Sequence, residues 1–68
     1  MKEYKNSTMF RLIDEYIHNA RDRRIMKDRL INGITIEELS ARYEMSVSQV
    51  QRKVQDYQKM LEDYLETA

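Results

Sequence analysis

Sixty-eight residues leave room for one domain, with 12 Lys and Arg against 12 Asp and Glu and a formal charge of zero. The absence of Cys excludes disulfides and thiolate metal sites, and a single histidine, His18, excludes a His cluster. With Pro absent, one glycine at Gly33 and 35% charged residues, the composition disfavours sheets and irregular loops and predicts an all-α fold.

A core of this size supplies roughly 3–5 kcal/mol without staples, so helix packing or self-association has to provide the stability. No apolar run approaches the roughly 20 residues of a membrane span. The opening MKEYKNST lacks the apolar stretch of a secretory leader. The expected setting is cytoplasmic, with no membrane partner and no cofactor or metal.

The first helix is expected to begin near Ser7 or Thr8. Met9, Phe10, Ile13, Tyr16, Ile17 and Ala20 give it one apolar stripe at helical spacing. Asn19-Ala20-Arg21-Asp22 places a capping side chain three residues before an acid, which suggests a second helix carrying Ile25, Met26, Leu30 and Ile31 and closed by Gly33. One continuous helix from Thr8 to Asn32 is the alternative, since neither Pro nor Gly interrupts that stretch.

Thr35-Ile36-Glu37-Glu38 fits a capping box and starts a third helix that runs to about Tyr43, with Ile34 and Leu39 as a hydrophobic staple. Glu44 and Met45 form a turn, and Ser46-Val47-Ser48-Gln49 is a second capping box that opens a fourth helix. Two helix starts so close together predict a helix-turn-helix. The expected layout is a single domain over 1–68, with N-terminal helices over 8–32, a helix-turn-helix core over 35–55 and a long C-terminal extension over 56–66. Ser40 is the small residue that lets the two helices of the core approach, Met45 fills the turn, and Val50 is the branched contact of the fourth helix.

The neutral total hides an uneven distribution. From Ala20 to Gln55 there are eight Lys and Arg against five acids, a net of +3, and from Asp56 to Ala68 one Lys stands against four acids, a net of −3.

Residues 21–54, RDRRIMKDRLINGITIEELSARYEMSVSQVQRKV, resemble the fourth region of bacterial sigma factors. They are similar also to the small sigma-region-4-like helix-turn-helix proteins of phages and mobile elements in Gram-positive bacteria. The marks that carry the resemblance are Arg21-Asp22-Arg23, Ile25, Arg29, Gly33, Thr35, Glu38-Leu39 and the run from Met45 to Val50. Two positions depart from the pattern: Ser40 stands where many members have Ala, and Glu44 where many have Gly. The resemblance implies a transcription regulator that binds double-stranded DNA, with the recognition helix over 47–55 in the major groove.

Positions turned away from the Val47, Val50, Val54 stripe then become base readers: Gln51, Arg52 and Gln55, with Ser48 beside them, because Arg suits guanine and Gln suits adenine. Phosphate candidates are Arg42, Ser46, Gln49 and Lys53. Arg21, Arg23 and Arg24 are either further phosphate contacts or partners of Asp14, Asp22 and Asp28. Thr35 serves as a cap, and His18 as a surface residue.

Val50, Val54, Tyr57, Leu61 and Tyr64 step by four, three, four and three, the spacing of a heptad seam. Two uses remain open for Val54, Tyr57, Leu61 and Tyr64: a homodimer interface, or packing of the long helix on Met9, Ile13, Tyr16 and Ile17. The seam and the acidic tail also support an alternative function, a protein-interaction module that dimerises or docks on a basic partner such as RNA polymerase. No nucleophile set, phosphate loop or convergent carboxylate pair is present, so no enzymatic activity is expected.

Overall fold

A computed structural model describes residues 6–67, the last of them for its helical backbone only. Met1–Lys5 and Ala68, which the expected domain bounds and the leader argument take in, lie outside the described residues. Four helices follow in order: α1 (Asn6–Tyr16), α2 (Ala20–Leu30), α3 (Ile36–Tyr43) and α4 (Val47–Thr67). The described residues contain no strand, and no helix among them is long and apolar enough to cross a membrane.

The stretch from Thr8 to Asn32 is two helices, and Asn19 divides them. Its backbone is extended (φ −79°, ψ 123°), and its side chain accepts the Asp22 N–H at 3.1 Å. The end of α1 is closed by the Ile17 N–H on the Ile13 carbonyl at 3.1 Å, and Arg23 Nη1 donates to the Ile17 carbonyl at 3.3 Å. A cap of this kind contributes about 1 kcal/mol, enough to fix a break where propensity alone is indifferent.

After α2 the chain reverses at Gly33, whose φ is +71°. The Ile34 N–H reaches back to the Asp28 carbonyl at 3.0 Å, and the left-handed glycine turns the chain out of the helix. Arg29 Nη1 donates to the Ile34 carbonyl at 3.1 Å and ties the loop to the helix it leaves.

The core draws on every helix: Ile13 and Ile17, Ile25 and Met26, Leu39, and Val50, Val54 and Leu61 are all buried. Each such side chain is worth roughly 1.5–3 kcal/mol on burial, so the eight together dominate the stability. Ile34 is partly buried and packs against this cluster.

Two expectations are corrected. Phe10 was expected to face inward, yet it is 48% exposed, while Leu12 packs on the core. Phe10 sits at the margin of the α1 stripe, where the Lys27 ammonium lies 3.7 Å from its ring centroid and 2.7 Å from Asp14.

The seam of α4 turns inward. Val54 is 4% exposed and Leu61 fully buried, the Tyr57 hydroxyl is bonded inside the fold, and Tyr64 stacks on Tyr16 at a centroid distance of 3.9 Å. Val54, Tyr57 and Leu61 are therefore not a free dimer interface. α4 is the longest of the four helices, and its stripe packs with Ile13, Ile25, Met26 and Leu39 in one core.

Candidate nucleic-acid interface

The turn between α3 and α4 is built by Ser40. Its carbonyl accepts the N–H groups of Glu44 and, at 3.1 Å, Met45, and its hydroxyl donates to the Met45 carbonyl. A small side chain was expected here for steric reasons, and the serine hydroxyl adds a hydrogen bond that alanine lacks. Glu44 takes the left-handed conformation (φ 53°, ψ 45°) that its place in the turn demands.

The two capping boxes differ. At α4 the box closes in both directions: the Gln49 N–H donates to Ser46 Oγ at 3.1 Å, and the Ser46 N–H to Gln49 Oε1 at 3.1 Å. At α3 the Glu38 N–H donates to Thr35 Oγ1 at 3.2 Å, but the Glu38 carboxylate lies 3.6 Å from Arg42. Thr35 is thus a cap, as its position suggests.

The doubly closed cap fixes where α4 begins. Val50 (0% exposed) and Val54 anchor the inner face, and Ser48, Gln51, Arg52 and Gln55 are all exposed. Val47 departs from its expected place in the inner stripe and is 43% exposed beside these residues. Lys59, one turn beyond Gln55 and two beyond Arg52, is exposed as well. It stands four residues after Gln55 and seven after Arg52, on the same outward line of the helix.

The seven phosphate candidates separate. Arg21, Gln49 and Lys53 line one groove with Arg52, Glu44, Met45 and Asp56. Arg24 and Arg42 lie apart from it, close enough to Tyr43 for their charges to act on its phenol. Ser46 keeps its hydroxyl proton, and Gln49 its NH2 group, as donors after the cap is made.

Arg42 is half-exposed in a loose pair with Glu38, a contact worth at most about 1 kcal/mol and easily exchanged for a phosphate. Arg23 and Lys53 are engaged inside the protein instead. Arg23 caps the end of α1, and Lys53 Nζ stands 3.3 Å from Asp22. Arg21 lies 3.7 Å from Asp22 but stays half-exposed, and Arg24 is exposed.

Asp22 is the one buried charged residue among those described, at 3% exposure. On Oδ2 it accepts the Tyr57 hydroxyl at 2.6 Å and Lys53 Nζ at 3.3 Å, whereas Oδ1 has no hydrogen-bond partner. Burial works to raise its pKa, but the hydrogen bonds from Tyr57 and Lys53 and the charges of Lys53 and Arg21 outweigh it and hold the carboxyl below its ordinary value. The bond to Asp22, together with burial, pushes the Tyr57 phenol up to about 12.

The chain matches no protein-family model, no curated protein and no solved structure.

Proposed function

We propose that this protein binds double-stranded DNA as a transcription regulator of the sigma-region-4-like helix-turn-helix kind. The observation that carries the reading is the outer face of α4: Ser48, Gln51, Arg52 and Gln55 are exposed together behind a doubly closed N-terminal cap, with Val50 and Val54 buried opposite. Arg52 and the two glutamines are the base readers, with Ser48 at the entry to the groove. The exposed Val47 fits the role of an apolar contact with a thymine methyl group, and Lys59 extends the contact to a phosphate one turn further on. Arg21, Arg24, Arg42, Ser46 and Gln49 supply the remaining backbone contacts.

The alternative, a protein-interaction module, draws on the exposed acids Asp56, Glu62, Asp63 and Glu66 and on Tyr64, which is 39% exposed. Its apolar seam is spent on the core, which makes DNA binding the stronger reading. RNA polymerase, as a basic-faced partner for the acidic end, belongs to this alternative.

In-vitro selection from random duplexes, followed by fluorescence anisotropy, tests the proposal. Binding is expected to weaken as salt rises, with four to six phosphate contacts implying a loss of about two or three orders of magnitude between low and physiological salt. Arg52→Ala is expected to relax preference at one base pair and weaken the selected duplex by about tenfold. A protein that selects no sequence and binds no duplex at low salt overturns the proposal.

A further inference from the structure

The readers on α4 are interleaved with two residues that reach toward α2. Lys53 follows Arg52, and Tyr57 comes two residues after Gln55; both reach Asp22 on α2. Elsewhere α4 is held by the cap at its start, by the Tyr16–Tyr64 stack near its far end, and by Val50, Val54 and Leu61, whose apolar contacts are non-directional and tolerate small rotations of a helix about its axis. A charge-assisted O–H···O bond at 2.6 Å does not. Side-chain tips lie about 6 Å from a helix axis, so a rotation of about 20° displaces them by about 2 Å, more than a bidentate hydrogen bond to a base tolerates.

We infer that Asp22, acting through Tyr57 and Lys53, is a positioning residue that sets the rotation of α4 and thereby the discrimination between DNA sequences. The inference rests on the DNA-binding reading above and deepens it, since Asp22 touches no DNA and lies under the surface. Lys53 is the counter-ion of this latch and not a phosphate contact. Apolar packing would close the same core without a buried carboxylate, at no cost of an unpartnered Oδ1. What the carboxylate adds is direction, which a recognition helix needs and a core does not.

The test compares the full chain with Tyr57→Phe, Asp22→Ala and Asp22→Asn. Each is titrated with the duplex selected by the wild type, the same duplex with one base pair changed, and an unrelated duplex. Tyr57→Phe and Asp22→Ala are expected to lower the ratio of selected to mismatched affinity by about tenfold, the value of one bidentate contact. Affinity for the unrelated duplex, set by exposed cations, should stay within about twofold. Asp22→Asn keeps an acceptor for the Tyr57 hydroxyl and is expected to restore most of the ratio, a rescue that a merely stabilising role would not require.

Residual dipolar couplings of the free proteins give a second readout, in which α4 reorients relative to α2 in Tyr57→Phe and Asp22→Ala. A folded Tyr57→Phe variant with unchanged discrimination and unchanged couplings overturns the inference. A wild type that binds no duplex overturns the DNA reading itself, and the couplings then still report whether Asp22 orients the helix.

Discussion

Two carboxylates on α2 each receive a tyrosine hydroxyl, and the pair makes an internal control. Asp22 accepts Tyr57 from α4 at 2.6 Å, and Asp28 accepts Tyr43 from α3 at 2.7 Å, so α2 is pinned once to each member of the helix pair. The bonds are nearly identical and the surroundings are not. Asp22 is 3% exposed, flanked by Lys53 and Arg21, with one oxygen lacking a hydrogen bond. Asp28 is half-buried, and its other oxygen has Asn32 at 3.4 Å. A hydrogen bond near water is exchanged for one to water when it breaks, while a buried one leaves its partners stranded. The difference teaches that bond length says little about what a contact is worth; the cost of the broken state decides.

The largest effect expected from this comparison is on stability. Asp22→Ala leaves Tyr57 and Lys53 without their acceptor at the edge of the core, and should cost about 2–3 kcal/mol, against about 0.5–1 kcal/mol for Asp28→Ala. In a domain of this size each kcal/mol moves Tm by about 4–8 °C, so thermal unfolding by circular dichroism separates the two variants readily. Equal losses would show that burial does not distinguish the pins.

A smaller effect is expected from pH, at both ends of the scale. The Asp22 pKa is lowered in the fold, so its contribution is present above the ordinary value of 3.8 and fades as pH falls below it toward the folded value. The Tyr57 pKa is raised from 10.0 to about 12, so its contribution is intact below pH 10 and is lost as pH rises through about 12, where a phenolate would face the Asp22 carboxylate. Tyr43 is raised as well, by burial first and by its bond to Asp28 second. Tyrosine titrations followed by NMR should show Asp22→Asn lowering the Tyr57 value and leaving Tyr43 in place, with Asp28→Asn doing the reverse. If both tyrosines shift together in either variant, the pins are one network and the contrast fails.

The pins mark the limit of what the sequence carries. Helix starts were legible because a cap is local: Asn19, Thr35 and Ser46 each meet the N–H three residues on, although at Asn19 the neighbouring letters also allowed one continuous helix. The outward set of Ser48, Gln51, Arg52 and Gln55 followed from the same local spacing once α4 had a start and a buried stripe. Asp22 meets Tyr57 across 35 positions and Asp28 meets Tyr43 across 15, and no periodicity announces such a pair. For the same reason Lys53 read as a phosphate candidate and Arg23 stayed open between a phosphate and a nearby acid, although one is held by Asp22 and the other by the end of α1. The seam of α4 fitted two partners by spacing, and only the burial of Val54 and Leu61 within the fold shows which of them it meets here.

The smallest expected effect lies in the turn that the two pins enclose. Tyr43, bonded to Asp28, is the last residue of α3, and α4 is bonded to Asp22, so the residue that follows Tyr43 must join helices whose places are already fixed. Glu44 does so at φ 53°, where a side chain costs about 1–2 kcal/mol, and replacement by glycine removes that cost while adding about 0.5–1 kcal/mol of chain entropy. Glu44→Gly should therefore stabilise the protein by about 0.5–1 kcal/mol, read as a higher urea midpoint with an unchanged slope. Gly33 supplies the opposite case: it already holds φ +71°, and a Cβ there meets nothing within 4 Å, so Gly33→Ala should lose about 1 kcal/mol through backbone strain alone. If the pins fix the helices, Glu44→Gly raises stability without moving the Tyr43 or Tyr57 titration. A gain accompanied by a fall in either tyrosine value would mean that the strained turn, and not the aspartates of α2, holds α3 and α4 in register.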